Sequence, residues 1–349
     1  MKEMKLDEVL KGSYQRYIVA DFLATKFFNK RIPLVVDNIG MDDVGRVVER
    51  LLSSYGDVDV VAEKDGKELT LKVSELSEEI DVLIVDAIPL VDCKRFDFAD
   101  LEQIMHRLRA DDGCEWDKAQ THESIRINLI EEAYELVEAI DCKDAEMMKE
   151  ETGDVLMQAV FHAEIAQKNG EFDYIDMVSG LCRKLIDRHT HIFGNNHANN
   201  AEDALVFWNE AKKKEKKYTS NADAMDRVPK NLPALLYAEK IQKIAKKCGF
   251  DWDDVSCALD KVAEETNELI DADAEHKFEE AGDLLFAVVN VLRFFKIEPE
   301  MALHEANKKF YRRFCAVEQA VLNSGRQMND CTLEELDAIW NKVKEGEKS

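Results

Sequence analysis

Two acidic motifs occur twice in this sequence, and their residue types and spacing suit the binding of a hard metal ion. Glu131-Glu132 with Glu135 precedes Glu151 with Asp154, and Glu264-Glu265 with Glu268 precedes Glu280 with Asp283. Residues three apart on a helix share a face. If the two helices of each set pack as an antiparallel hairpin, Glu132, Glu135, Glu151 and Asp154 point into one groove, and Glu265, Glu268, Glu280 and Asp283 into another. Like charges in a partly desolvated groove push each other's pKa up, and a divalent cation relieves that repulsion. All-oxygen ligands favour Mg²⁺, with Mn²⁺ as the alternative, and Mg²⁺ keeps some waters and bridges to substrate phosphates. In a chain this acidic one such motif is expected as a solvated helix face. The ordered pair, present twice, is what marks a site.

Two other carboxylate chemistries do not fit. Ferritin-like di-iron sites use Glu-x-x-His, and none of the 8 His has Glu three positions before it. A nudix box needs an Arg-Glu ahead of its glutamates and an upstream glycine, which Glu150 and Glu279 lack. Gly153 and Gly282 fall inside the acidic helices, where Gly costs about 1 kcal/mol relative to Ala. Close helix approach or ligand access is the expected compensation.

The repeat extends beyond the acids. Glu132 and Glu265 are 133 positions apart, Asp154 and Asp283 are 129 apart, and each half carries two of the 4 Trp. Trp208 with Lys212 and Trp340 with Lys344 form a W-x-x-x-K, and Lys184 with Arg188 is matched by Lys309 with Arg313.

The elements that must position these residues are mostly helices. The spacing predicts a mainly α protein with two tandem all-α bundle modules, 96–218 and 219–349, behind a small α/β domain over 1–95. In that domain β-branched runs at 32–36, 58–61 and 82–85 read as strands, and 18–28 and 41–52 as helices. It has no G-x-G-x-x-G after a strand, so no dinucleotide site is argued. Leu129, Ala133, Leu136, Val137 and Ile140 are expected on the core side of the first acidic helix. The apolar run 284–292 has no polar face to spare and is expected inside a multi-helix bundle or a subunit interface.

Composition narrows the classes. The chain has 349 residues, 47 Lys plus Arg against 72 Asp plus Glu, and a net charge of -25, which disfavours nucleic acid and anionic membrane as partners. Only 5 Pro and 14 Gly fit a helical protein better than a turn-rich β-sandwich. The 8 Cys show no C-x-x-C and read as reduced thiols, without disulfides or zinc. No segment reads as a signal peptide or a membrane span, so a cytoplasmic location is expected.

At this point the residues match a known family. The stretch Gly113-Cys114-Glu115-Trp116-Asp117-Lys118-Ala119-Gln120-Thr121-His122, the two acidic sets, Arg188-His189-Thr190-His191-Ile192-Phe193-Gly194, and the stretches 240–252 and 306–314 resemble the MazG nucleoside triphosphate pyrophosphohydrolases, with both family repeats in tandem. Glu115 departs from the proline usual there and lies outside the acidic motifs. The first 95 residues look like a remnant of a tetrapyrrole methylase domain, too short for a methylase site and expected to serve packing or dimerisation.

The resemblance implies Mg²⁺-dependent cleavage of nucleoside triphosphates between the α and β phosphates, with the two carboxylate quartets as metal ligands. Glu264, with Glu265 beside it and Glu131 in the first module, would orient or deprotonate the attacking water. Lys261, Lys309, Arg313 and Lys344 would grip the polyphosphate, and Lys184, Arg188, Trp208 and Lys212 would do so in the first module. Trp340 either stacks on the base or packs the wall, while His189 and His191 are expected in structural roles. Asn128 stands where the second module has Lys261, which favours the second module as the main site. A homodimer is expected. The alternative from another class is a non-catalytic nucleotide sensor or interaction protein.

Overall fold

The computed structural model describes residues 12–216 and 220–347. It divides into two compact units, Met1–Asp187 and Arg188–Ser349. The sequence repeat, expected to turn over near residue 218, and the packing units therefore have different boundaries.

The first unit opens on a five-stranded sheet ordered β1-β2-β5-β3-β4, with β1 (Gln15–Ile18), β2 (Leu34–Ile39), β3 (Asp59–Lys64), β4 (Lys67–Lys72) and β5 (Ile80–Val85). β1 runs parallel to β2, and the other neighbours pair antiparallel. β3 and β4 join through Asp65-Gly66, both at positive φ, the two-residue turn whose twist matches a hairpin. Helix α1 (Val19–Ala24) precedes α2 (Met41–Tyr55). The latter buries Val44, Val47, Leu51 and Tyr55, a 3.6-residue stripe, against Leu34, Val36 and Leu83 of the sheet. Each such side chain contributes about 2 kcal/mol by leaving water. The three strands expected from β-branched runs are present. β1 and β4 escaped because they are edge strands, and Lys67–Lys72 is mostly exposed and carries no apolar run.

Helix α3 (Phe98–Leu108) starts on an Asp97 capping box. Buried Lys30 reaches Asp100 at 2.6 Å and Asp97 at 3.1 Å, tying the sheet domain to this helix. After the short α4 (Glu115–Ala119) come α5 (His122–Cys142) and α6 (Ala145–Asn169). Only Lys143, in the left-handed region, and the capping Asp144 separate the last two. So short a link forces an antiparallel hairpin. Met105, Ile125, Val160, Phe161 and Ile165 form its core. Of the residues expected on the core side of α5, Leu136 and Val137 are half-buried, while Leu129, Ala133 and Ile140 are exposed. α3 packs on α6, and α5 meets this core through Ile125 at its first turn, so the stripe further along α5 stays open in the single chain.

Helix α7 (Tyr174–Arg188) ends at the unit boundary. The second unit holds α8 (Thr190–Phe193), α9 (Ala201–Lys216), α10 (Asn221–Asp226), α11 (Ala234–Lys247), α12 (Val255–Asp271), α13 (Lys277–Phe294), α14 (Pro299–Asn323) and α15 (Leu333–Gly346). α12 packs on α13, α11 on α13, and α14 on α15. In the run 284–292, Ala287, Val289 and Val291 are buried, whereas Leu285, Phe286 and Val288 are exposed. Among the described residues no helix is long and apolar enough to cross a membrane.

Candidate metal and phosphate sites

In the first unit, carboxylate oxygens of Glu132, Glu151 and Asp154 lie within 4.8 Å of one another. The α5–α6 hairpin brings them together because Glu132 is on one strut and Glu151 and Asp154, one turn apart, are on the other. Glu151 is buried and its two partners half-buried. Desolvation pushes the Glu132 carboxyl above its ordinary pKa, helped by Asp154 and Glu135. Desolvation also pushes Glu151 up, helped by Glu135 and Glu150. The buried Gln158 side chain reaches Glu132 at 3.5 Å, a weak contact that leaves the charge unbalanced.

In the second unit the trio is Glu265, Glu268 and Glu280, again within 4.8 Å. Here Lys261 donates to Glu265 at 2.6 Å and to Glu264 at 2.8 Å. Those two bonds raise the lysine's pKa further. Burial, and then Glu265, push Glu268 up.

Each expected quartet is thus a trio with a different member apart. Glu135 and Asp283 are exposed and lie outside. A hard divalent cation places ligand oxygens about 2.9 to 4.2 Å apart in an octahedral shell, which both trios can satisfy. The donor chemistry, all carboxylate oxygen, with the Glu132, Glu151 and Glu268 carboxyls raised by desolvation and like charge, therefore fits such an ion.

Glu131 and Glu264 are exposed beside their trios. Gly153 and Gly282 are exposed too, and a Cβ added at either would meet nothing within 4 Å. Of the two expected compensations, close helix approach does not explain them, and open space beside the acids leaves room for ligand access.

The basic and aromatic residues form two further clusters, both in the second unit. The Arg188 guanidinium lies 5.1 Å over the Trp208 ring, and His189 meets that ring edge-on at 4.8 Å. The Arg313 guanidinium lies 5.7 Å from the centre of the Trp340 ring, which also packs against Phe310 at 5.5 Å. Lys184, Lys309 and Lys344 are exposed, and Lys212 is half-buried. Sequence reasoning missed two members. Glu215 binds Arg188 at 2.7 and 3.0 Å, and Glu347 binds Arg313 at 2.8 Å. The signal was there, since W-x-x-x-K extends in both halves to W-x-x-x-K-x-x-E.

A cavity of about 500 Å³ opens in the second unit between Ile241, Phe250, Trp252 and Phe286, with Gln242 and Asn290 at its polar edge. Gln242 donates to the Phe286 carbonyl at 2.9 Å, leaving its buried Oε1 without a partner. The Arg293–Asp251 pair, at 3.0 Å, closes one side.

Residues 120–193, which carry the first acid trio, match the MazG nucleotide pyrophosphohydrolase domain. Over 253 residues the chain is 43% identical to the nucleoside triphosphate pyrophosphohydrolase/pyrophosphatase MazG of Thermotoga maritima, covering 72% of this chain and 97% of the relative. It is 40% identical over 251 residues to the nucleoside triphosphate pyrophosphohydrolase of Escherichia coli K12, covering 70% and 95%. An uncharacterized Bacillus subtilis protein, YabN, is 41% identical over 257 residues, which span 52% of its own length.

Proposed function

Because the chain belongs to the MazG family, we propose that it is a nucleoside triphosphate pyrophosphohydrolase that cuts its substrate between the α and β phosphates with Mg²⁺, clearing nucleotides from the cytoplasmic pool. The observation that carries this reading is the acid trio that converges in both repeats, with desolvation pushing up the Glu132, Glu151 and Glu268 carboxyls, a cluster that calls for a divalent cation.

Glu265, Glu268 and Glu280, with Asp283 recruited from the adjoining turn, would hold the ion in the second module, and Glu132, Glu135, Glu151 and Asp154 in the first. When bound, the ion supplies charge neutralisation on the phosphates and acidifies a water. Glu264, exposed beside the trio, accepts the proton of the attacking water at its carboxylate, and Glu131 has the matching place in the first module. Lys261 pairs with Glu265 and Glu264 and offers a point charge to the phosphates. Lys309, Arg313 and Lys344 grip the polyphosphate. Trp340 and Trp208 support their arginines. The cavity between Trp252 and Phe286 has the apolar walls and polar edge of a base subsite. It shares α13 with Glu280, and Phe286 lies about 9 Å further along that helix.

The second module is the main site, because Lys261 gives it the positive charge that Asn128 withholds from the first. Exposed Ile127, Ile130 and Tyr134 on α5, and Leu285, Phe286 and Val288 on α13, are apolar faces left without cover. They support pairing of two copies, and a monomeric mass in sedimentation at micromolar concentration would remove the dimer. The eight free thiols suit a reducing compartment.

Incubating the protein with each nucleoside triphosphate and Mg²⁺, then resolving products, tests the reaction. Monophosphate plus pyrophosphate is expected. Orthophosphate plus a diphosphate overturns the bond assignment, and no product at all favours a nucleotide sensor.

A further inference from the structure

The two arginine–tryptophan clusters share a carboxylate for which the hydrolytic reading gives no role. Glu215 follows Trp208 by seven residues and Glu347 follows Trp340 by seven, two helical turns that return to the same face. Glu347 Oε2 accepts from Arg313 Nε at 2.8 Å and from Nη2 at 2.7 Å. Glu215 accepts from Arg188 Nε at 2.7 Å and from Nη2 at 3.0 Å. In both clusters the carboxylate therefore takes the same edge of the guanidinium, while an indole lies against its face.

A guanidinium carries five N–H donors in a rigid plane, enough for two parallel forks. With one fork held by a carboxylate and the plane held by an indole, the direction of the remaining fork is fixed before any ligand arrives. Among the described residues Nη1 of Arg313 has no hydrogen-bond partner. The Arg313 and Arg188 side chains are only 16% and 9% exposed, so the pairs are not loose surface contacts. The other Glu347 oxygen binds Arg312 at 3.0 Å, which anchors the carboxylate itself.

Resting on the reading of Arg313 as a phosphate grip, we propose that Glu347 is a positioning residue for triphosphate recognition: it holds the Arg313 guanidinium over Trp340 so that the second fork is preorganised for a phosphate. Preorganisation lowers the ordering cost of binding and so acts on substrate affinity more than on the chemical step.

Steady-state kinetics on the full chain, with binding of inorganic pyrophosphate as a second readout, tests this. Glu347→Ala is expected to raise KM for the triphosphate and Kd for pyrophosphate roughly five- to tenfold, with kcat changed by less than about twofold. Glu347→Gln, which retains one acceptor oxygen, is expected to fall between. In an Arg313→Ala background, Glu347→Ala should add nothing. An unchanged or lowered KM in both Glu347 variants, while Arg313→Ala raises KM, overturns the positioning role and leaves the phosphate grip standing. If Arg313→Ala itself leaves KM unchanged, the grip reading fails and the positioning role falls with it. An unchanged melting curve for Glu347→Gln separates either result from a folding defect.

Discussion

The two acid trios draw on the same motif but differ in the charge that faces them. In the first, no cationic side chain among the described residues pairs with Glu132, Glu151 or Asp154, and the Glu132 and Glu151 carboxyls are driven above their ordinary pKa. In the second, Lys261 sits against Glu265, and the Glu268 carboxyl is driven up by desolvation and by Glu265. One position, Asn128 against Lys261, accounts for the contrast. A duplicated motif can keep its acidic residues while the members that converge, and the charge one helical turn away, differ between the copies.

The largest effect should come from removing a ligand on each side. Glu265→Ala is expected to lower kcat/KM at least about a hundredfold, whereas Glu151→Ala should cost much less. Pyrophosphate release measured on both variants checks this, and equal losses would break the asymmetry. Next, Lys261→Ala should cost roughly tenfold in kcat/KM by taking a charge-assisted donor from the second trio. Asn128→Lys is the complementary variant. It should bring the first trio's carboxyls back down, seen as proton uptake at lower pH in a titration by NMR.

Metal addition sharpens the same contrast through stability. A carboxyl whose folded pKa is raised binds its proton more tightly when folded, so its contribution is present at low pH and is lost as pH climbs through the raised value. Above that range the chain carries the repulsion, and a divalent cation removes it. Saturating Mg²⁺ is therefore expected to raise Tm by about 5 °C near neutrality, at a hundred times Kd, and by less at pH 5, where protons compete. Glu151→Gln should flatten this pH dependence more than Glu268→Gln. Differential scanning calorimetry with Mg²⁺ and with chelator reads the effect.

The smallest change concerns the open glycines. Gly153→Ala and Gly282→Ala should each stabilise their helices by about 1 kcal/mol, because neither Cβ meets an obstacle. If the space beside the second trio serves substrate, Gly282→Ala alone should also raise KM. Parallel melting and kinetic measurements of the two variants decide it.

Much of this was legible in the sequence because it is local. A three-residue spacing puts Glu151 and Asp154 on one face of any helix, and the Asp65-Gly66 turn follows from backbone sterics. The seven-residue spacing from Trp to Glu is local too, and it places Glu215 and Glu347 on the helix faces of Trp208 and Trp340. Edge strands β1 and β4 lacked an apolar signature because little of their surface is buried.

The sequence by itself determined that acids recur in pairs on successive helices, that two similar modules follow a small α/β segment, and which basic residues accompany them. Only the tertiary structure decided that three carboxylates of each four converge, that Lys261 clasps Glu265, that Gly153 and Gly282 border open space, and that Glu215 and Glu347 bind the arginines. The physical reason is range. Helical periodicity fixes which side chains share a face, whereas convergence across two helices depends on packing, desolvation and rotamer choice, which no local spacing records.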